Sequence, residues 1–271
     1  MTSPRMIQIA SGKGGVGKTW LSVTLAEALA AMHRDVLLFD GDLGLANVDV
    51  HLGLVPTLDL GSVIAGRARI EEAITTYEIP SVSGAAGGVK FDVLAGKSGS
   101  GVLSALTRTE IAGIARALSR LSERYAHVVI DLAAGLDQSV MALCTPDSTT
   151  LVVVTDEPTS LTDAYAFIKL LTLQDAEADI RVIVNFANDR EHAWRTHAAL
   201  TNACKTFLGI APPLAGFVPR DNLVRDAIRR QTPILFRHPQ AKASEAVRKL
   251  ARDLLVPLPK STPGPVLRRG A

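Results

Sequence analysis

A glycine-rich stretch near the start of the chain, SGKGGVGKTW at residues 11–20, has the residue types and spacing needed to bind phosphate. Residues 12–19 fit the pattern G-x-x-x-x-G-K-[ST], in which glycines permit a tight turn whose backbone N–H groups face phosphate oxygens. We expect Lys18 to reach the β- and γ-phosphates of a nucleotide and Thr19 to ligate Mg²⁺. The residues expected to contact the nucleotide here are Gly12, Lys13, Gly14, Gly15, Val16, Gly17, Lys18 and Thr19.

Apolar segments and helix-like stretches alternate along the chain, and they must position this loop. Most of the apolar segments do not alternate apolar with polar residues, which is typical of strands buried on both faces. The predicted strands cover residues 6–10, 35–39, 91–95, 127–131, 150–155, 180–186 and 214–218. The predicted helices cover residues 18–32, 110–124, 160–174, 189–207, 222–231 and 240–255. The pattern predicts an α/β fold with a doubly wound, mostly parallel sheet flanked by helices, in which ligands lie outside the carboxyl ends of the strands.

No internal repeat or linker interrupts this alternation, so we expect a single domain over residues 1–256. A stretch rich in glycine and serine at 81–91 is expected to form a surface loop or turn. The proline-rich tail at 257–271 is expected to be disordered.

The composition argues against several classes of protein. The 29 Lys and Arg residues nearly balance the 27 Asp and Glu residues, and a net charge of +2 does not indicate a nucleic-acid-binding protein. The two cysteines, Cys144 and Cys204, lack metal-ligand spacing, which is typical of reduced thiols in a cytoplasmic protein. The sequence shows neither a signal-peptide pattern nor an uncharged apolar stretch of about 18 residues, so we expect no transmembrane helix.

Lys13, the first of the two lysines in this loop, indicates which group of phosphate-binding proteins the chain resembles. The segment KGGVGKT at residues 13–19 resembles the deviant Walker A motif of the MinD/ParA family of P-loop ATPases. In that family the early lysine crosses the interface of an ATP-bound dimer and touches the partner's phosphates, and Lys13 is the matching position. The resemblance implies a MinD-like P-loop NTPase fold of the SIMIBI class, hydrolysis of ATP with Mg²⁺ as cofactor, and an ATP-dependent homodimer. A cation supplied by a second subunit neutralises phosphate charge only when the two subunits meet.

The segment LLFDGDLGLANVDVHLGL at residues 37–54 corresponds, by the same resemblance, to the switch I region. The resemblance implies that Asp42 orients or activates the attacking water and that Asp40 helps to hold the magnesium shell. A carboxylate suits the first role because it accepts a hydrogen bond or a proton from water in line with the γ-phosphate. The catalytic residues implied are Asp42, Lys13 and Lys18.

The segment HVVIDLAAGL at residues 127–136 fits a Walker B strand followed by switch II. Asp131 would contact Mg²⁺ through water, and Gly135 would supply the backbone that senses the γ-phosphate. The family more often has Thr or Ser directly after this aspartate, whereas this chain has Leu132. Any contribution from a hydroxyl at that position is therefore absent.

The base of the nucleotide is expected over the later strands. By resemblance, Asn185 at the end of IRVIVNF contacts the adenine, since a carboxamide offers both a donor and an acceptor. The segment VPRD at 218–221 closes the pocket from the other side, with Pro219 and Asp221 as further contacts.

Three longer segments are similar to the FlhG/FleN branch of flagellar-number regulators beside MinD. They are DGDLGLANVDVHLGL, TDEPTSLTDAYAFIKLL and FVPRDNLVRDAIRRQTPILFRHPQAKAS, and the similarity runs from about residue 6 to 255. It implies an ATP-dependent switch that regulates flagellar number or placement, or a related positioning process, with flagellar assembly or other positioning proteins as partners. The expected location is the cytoplasm, with peripheral sites at the membrane or the cell pole left open.

Two features differ from these relatives. The first strand is expected at about Met6. We therefore expect this sequence to lack the N-terminal glutamine-containing segment that stimulates the partner GTPase FlhF in this branch, and we do not assign GTPase activation. MinD proteins often end in an amphipathic membrane helix, but Pro and Gly interrupt any helix in residues 257–271. The amphipathic segment at 240–255 is expected to pack on the sheet, so membrane binding is not favoured.

A partition ATPase of the ParA type, which binds DNA nonspecifically to position DNA or protein cargo, is the alternative function. Its signal would be a basic patch formed by Arg225, Arg229, Arg230, Arg237, Lys242, Arg248 and Lys249. Such charges more often form a solvated face, so DNA binding is not favoured. Metal-cluster carriers share the phosphate loop but need cysteines at the dimer interface or a C-x-x-C pair, and neither Cys144 nor Cys204 stands in such a pair.

Overall fold

A computed structural model describes residues 5–80, 88–96, 106–146 and 148–256, which form one eight-stranded sheet with helices on both faces. The strands are β1 (Met6–Ser11), β2 (Val36–Gly41), β3 (Ile74–Ile79), β4 (Val89–Leu94), β5 (His127–Ala134), β6 (Thr149–Val154), β7 (Asp179–Ala187) and β8 (Leu214–Pro219). The helices are α1 (Lys18–Ala30), α2 (Val48–Leu52), α3 (Leu60–Ile64), α4 (Arg108–Leu121), α5 (Gln138–Leu143), α6 (Pro158–Gln174), α7 (Arg190–Leu208), α8 (Asn222–Arg229), α9 (Ile234–Arg237) and α10 (Lys242–Leu255). Short 3₁₀ turns lie at Ile70–Ala73 and Ser122–Arg124.

The strand order is β3-β4-β2-β5-β1-β6-β7-β8, and every pair is parallel except β3 with β4. This confirms the doubly wound, mostly parallel sheet. The carboxyl ends of β1, β2, β5 and β6 meet at one edge, because these strands run in the same direction. Each of the seven predicted strands is present, with shifts of a few residues at the ends.

The prediction missed one strand and several short helices. The segment ITTYEI of β3 is an edge strand whose side chains are mostly half-buried or exposed, so it lacks the continuous apolar run of the central strands. The predicted loop at 81–91 is wrong at its end, because Val89–Leu94 is β4. Residues 81–87 and the tail at 257–271 lie outside the described residues.

The apolar side chains form two cores, one on each face of the sheet. Ile7 and Ile9 of β1 face the core that contains α1 and α10, whereas Met6 and Ala10 face the core that contains α4, α6 and α7. This division follows from the alternation of side chains along a strand. Helix α1 is buried on almost its whole surface, because α2, α9 and α10 pack against it in addition to the strands. The loop between β1 and α1 is therefore anchored at both ends by rigid, buried elements.

Burial of Glu27 in α1 makes a pH-dependent contribution to stability. Its Oε2 accepts the backbone N–H of Leu235 at 3.2 Å, and burial raises the pKa of this carboxyl to about 8. The folded protein therefore keeps a proton between about pH 4.5 and 8 that the unfolded chain releases, so folding stability falls as the pH rises through this range. The slope from this group is at most about 1.4 kcal/mol per pH unit.

Glu27→Gln is expected to flatten the decline in stability between pH 5 and 8, because glutamine has no proton to release. The measurement is urea unfolding of both proteins at one-unit steps of pH. Glu177→Gln, on the exposed surface after α6, serves as the control and should keep the wild-type slope. Parallel pH profiles for wild type and Glu27→Gln would show that the Glu27 carboxyl is ionised in the folded state.

Candidate nucleotide-binding site

The glycine-rich loop turns sharply between β1 and α1 at the carboxyl edge of the sheet. Gly15 and Gly17 have φ values of 77° and 90°, in the left-handed region that favours glycine. A Cβ added at Gly17 would lie 2.5 Å from Nδ2 of Asn185, and one added at Gly12 would lie 2.2 Å from the carbonyl carbon of Asp163. The loop therefore needs glycine both for its turn and for its close approach to β7 and α6.

Lys18 begins α1, and its ammonium group feels the charges of two aspartates. Its side chain is 9% exposed, and burial lowers the pKa of its ammonium group while the charges of Asp131 and Asp42 act in the opposite direction. The structure thus brings together the lysine of the loop and two of the predicted aspartates. This cation with its surrounding carboxylates can pair with phosphate oxygens and a divalent metal ion at the same edge.

Asp131 lies within β5, and only one of its two carboxylate oxygens accepts a hydrogen bond from a described residue. The Ser22 hydroxyl donates to Oδ1 at 2.9 Å, while the buried Oδ2 has no hydrogen-bond partner among the described residues. Burial raises the pKa of this carboxyl to about 6, and hydrogen bonds from Thr19 and Ser22 oppose that shift. A buried oxygen without a partner, beside a loop threonine, fits a Mg²⁺ ligand or a ligand to its water shell.

Within the described residues, no three His, Cys, Asp or Glu side chains come together as a ready-made metal cage.

Asp40 and Asp42 lie on the neighbouring strand end. Asp40 at the end of β2 is directly opposite Asp131 in the β2–β5 register. Burial and the charge of Asp131 raise the pKa of the Asp40 carboxyl to about 8, and its hydrogen bonds from backbone N–H groups oppose that shift. Asp42 is half-buried, and its Oδ1 accepts the N–H groups of Gly44 at 3.3 Å and Leu45 at 2.9 Å.

Lys13 points toward α6 in the single chain. Its ammonium group forms an ion pair with Glu157 and donates to the Thr159 hydroxyl at 2.8 Å. These two residues lie just before and within the first turn of α6. A contact between Lys13 and a phosphate of another subunit therefore requires the ammonium group to exchange these partners for phosphate oxygens.

The predicted adenine residues are arranged around the far side of the loop. Asn185 is only 2% exposed; its Nδ2 donates to the Val16 carbonyl at 2.7 Å, and its Oδ1 accepts the Phe186 N–H at 2.9 Å. Its carboxamide therefore ties β7 to the phosphate loop. Pro219 ends β8, and Asp221 caps α8 by accepting the Leu223 N–H at 3.0 Å.

Several residues at this site escaped the sequence reasoning. Arg220 lies over the ring of Phe186, with 5.5 Å from the guanidinium carbon to the ring centroid, at the adjoining ends of β7 and β8. Ser22 carried a usable signal, because it follows Lys18 by four residues and so lies on the same face of α1. Glu157 carried none, since its contact with Lys13 spans 144 residues of chain.

Gly135 lies where switch II was expected. Its φ is 109°, and its N–H donates to the Ser11 carbonyl at 3.0 Å. This bond joins the segment after β5 to the start of the phosphate loop.

The basic residues near the C-terminus are partly engaged within the chain. Arg237 forms an ion pair with Asp226, Lys249 forms one with Asp253, and Arg248 donates to backbone carbonyls, including that of Leu235 at 3.4 Å. The other four, Arg225, Arg229, Arg230 and Lys242, are exposed.

The apolar face of α10 is buried against α1 and β8, as expected from its pattern. None of the described helices combines the length and apolar character needed to cross a membrane.

Comparison with known proteins agrees with this geometry. Residues 7–234 match the family described as the CobQ/CobB/MinD/ParA nucleotide binding domain. Antiactivator FleN of Pseudomonas aeruginosa is 38% identical over 261 residues, which cover 96% of this chain and 90% of FleN. Flagellum site-determining protein YlxH of Helicobacter pylori is 27% identical over 253 residues, which cover 91% of this chain and 80% of YlxH.

A solved structure shares the fold and contains a nucleotide. The septum site-determining protein MinD from Pyrococcus horikoshii, complexed with Mg-ADP, is 26% identical and superposes with a TM-score of 0.75. The match covers 92% of this chain and 95% of that protein. With a phosphate loop, a buried lysine and strand-end carboxylates in one place, this chain belongs to the MinD/ParA ATPases of the CobQ/CobB/MinD/ParA nucleotide-binding family and is similar to its FleN branch.

Proposed function

We propose that this chain is an ATP-dependent molecular switch that dimerises with ATP, hydrolyses it, and regulates flagellar number or placement or a related positioning process. The observation that carries the proposal is that Lys18 is buried at the end of the glycine-rich loop, where the charges of Asp131 and Asp42 act on it. In such an arrangement the cation can pair with β- and γ-phosphate oxygens, and the carboxylates can hold a metal ion and orient an attacking water. The similarity to FleN and to the flagellum site-determining protein YlxH supports the flagellar process.

In this proposal the phosphates lie against the backbone of residues 12–19, and Lys18 pairs with the β- and γ-phosphate oxygens. Thr19 and Asp131 hold Mg²⁺ or its water shell, and the partnerless Oδ2 of Asp131 supports this role. Mg²⁺ supplies neutralisation and orientation of the phosphate oxygens. Asp42 accepts a hydrogen bond from the attacking water, which aligns it with the γ-phosphate.

The remaining assignments concern the base, the subunit arrangement and the location. Asn185, Pro219 and Asp221 border the adenine, and Lys13 reaches the phosphates of a second copy of the chain. One ATPase domain spans residues 1–256. The partners are flagellar assembly or other positioning proteins, and the protein acts from the cytoplasm.

The proposed activity is tested by replacing the loop lysine. Lys18→Ala removes the positive charge from the phosphate site, so Mg-ATP affinity is expected to fall by about 100-fold or more and hydrolysis to become undetectable. Isothermal titration with Mg-ADP and a phosphate-release assay provide the measurements. Lys169→Ala, on an exposed face of α6, is the matched control. Wild-type affinity in Lys18→Ala would contradict the assignment of the site.

The process is tested in cells and separately from the activity. Deletion of the gene is expected to change the number or position of flagella, and complementation with Lys18→Ala should fail to restore it. A normal flagellar pattern in the deletion strain would overturn the flagellar assignment and leave the ATPase assignment standing. ATP-dependent binding to random DNA that weakens steeply with salt would instead support the partition alternative.

A further inference from the structure

The buried carboxylate of Asp40 is occupied by backbone groups of the segment that follows it. Its Oδ1 accepts the N–H of Asp42 at 3.2 Å. Its Oδ2 accepts the N–H groups of Asn47 at 2.9 Å and Val48 at 3.0 Å. The side chain is fully buried, so water does not compete for these hydrogen bonds. We call residues 42–48, which connect β2 to α2, the switch loop.

These three bonds join the two ends of the switch loop. Asp42 is its first residue, whereas Asn47 and Val48 lie at the start of α2. The Asn47 side chain makes no capping hydrogen bond of its own, so Asp40 satisfies N–H groups that would otherwise be orphaned at this helix end. Between the two ends Leu43 and Ala46 are buried, whereas Leu45 is 75% exposed. The Asp40 side chain therefore ties both ends of the switch loop to the end of β2.

The contrast with Asp131 separates the roles of the two neighbouring carboxylates. Asp131 has an oxygen with no partner among the described residues, whereas both oxygens of Asp40 already accept hydrogen bonds. We propose that Asp40 is the anchor of the switch loop and a positioning residue for hydrolysis, setting the place of Asp42, rather than a residue that holds the magnesium shell. This inference rests on the proposed ATPase function and departs from the role that the family resemblance implies for Asp40.

Two substitutions at Asp40 test the anchor. Asp40→Ala removes both acceptor oxygens and with them all three hydrogen bonds. Asp40→Asn keeps one oxygen for Asn47 and Val48 and loses the bond from Asp42, so its effect should be intermediate. The matched control is Asp59→Asn, because Asp59 is also buried and caps a five-residue helix, α3, by accepting the Ser62 N–H at 2.7 Å.

The readouts are amide hydrogen exchange of the nucleotide-free protein, Mg²⁺ dependence of fluorescent ADP binding, and steady-state ATP hydrolysis. In Asp40→Ala we expect exchange at residues 42, 47 and 48 to accelerate at least tenfold and kcat to fall at least tenfold. The Mg²⁺ concentration for half-maximal binding should stay within about twofold of wild type. Asp59→Asn should leave all three readouts of the site unchanged.

Two results would overturn the anchor. One is unchanged exchange in the switch loop of Asp40→Ala. The other is a tenfold rise in the Mg²⁺ requirement of either Asp40 variant, which would assign Asp40 to the magnesium shell. Hydrogen exchange needs no nucleotide, so it still decides the anchor if the wild-type protein proves unable to bind ATP, which would refute the proposed function instead. If Asp40→Ala does not fold, Asp40→Asn provides the same comparison with smaller expected changes.

Discussion

Replacement of Lys13 by alanine is expected to abolish ATP-dependent dimerisation and to lower ATP hydrolysis by about 100-fold or more, while nucleotide binding stays close to wild type. Within one chain the Lys13 ammonium group lies on Glu157 and Thr159, whereas Lys18 is the lysine buried beside the site's carboxylates. Binding within one subunit therefore does not need Lys13. Contact with the nucleotide of a second subunit does need Lys13, because the charge of Lys13 reaches the γ-phosphate of that nucleotide only across the interface.

Light scattering after size-exclusion chromatography with saturating ATP measures the dimer, and titration with fluorescent ADP measures binding. The control is Lys169→Ala, an exposed lysine of α6 that makes no contribution to the site. Normal turnover and dimerisation by Lys13→Ala would falsify the role of this lysine across the interface.

Glu157→Gln tests the role of Lys13 through its ion-pair partner. The substitution removes the negative charge that Lys13 must leave in order to reach a second subunit. It keeps the hydrogen bond between Lys13 and Thr159. If the ion pair competes with the dimer, the variant should dimerise at lower ATP concentrations than wild type. If Glu157 instead helps to aim Lys13, the variant should dimerise less readily.

Asp42→Ala is expected to bind ATP with nearly wild-type affinity, to lose hydrolysis by about 100-fold or more, and to accumulate as an ATP-bound dimer. The half-buried carboxylate of Asp42 is close enough to Lys18 to affect its pKa, and it lies at the start of the switch loop. Its removal leaves Lys18, Thr19 and Asp131 in place to bind the nucleotide. Without a group to orient the attacking water, the dimer has no route back to ADP and monomer.

Single-turnover hydrolysis and light scattering with ATP and with ADP provide the measurements. The matched control is Asp35→Ala, which should hydrolyse ATP normally. Asp35 is exposed and directly precedes β2, at the other end of the strand from Asp42. A monomeric Asp42→Ala protein at saturating ATP would contradict the switch, and rapid hydrolysis would show that another group positions the water.

The phosphate loop and the central strands could be predicted because each depends on contiguous residues. Glycines at fixed spacing allow the turn at 12–19, and uninterrupted apolar runs indicate strands buried on both faces. Strand β3 escaped prediction for the converse reason, since an edge strand with half-exposed side chains needs no such run. Its neighbour β4 began inside the predicted loop at 81–91, because glycines there outweighed the short apolar segment that follows.

The sequence by itself determined which chemistry is available: a phosphate loop with two lysines, and aspartates at the ends of two apolar strands. Only the tertiary structure decided which of these groups meet. The strand order places Asp40 opposite Asp131, brings the Ser22 hydroxyl to Asp131 across 109 residues, and joins Asn185 to the Val16 carbonyl across 169 residues. These contacts depend on how the strands are ordered in the sheet. Local propensity reaches only a few residues along the chain, so it leaves that order open.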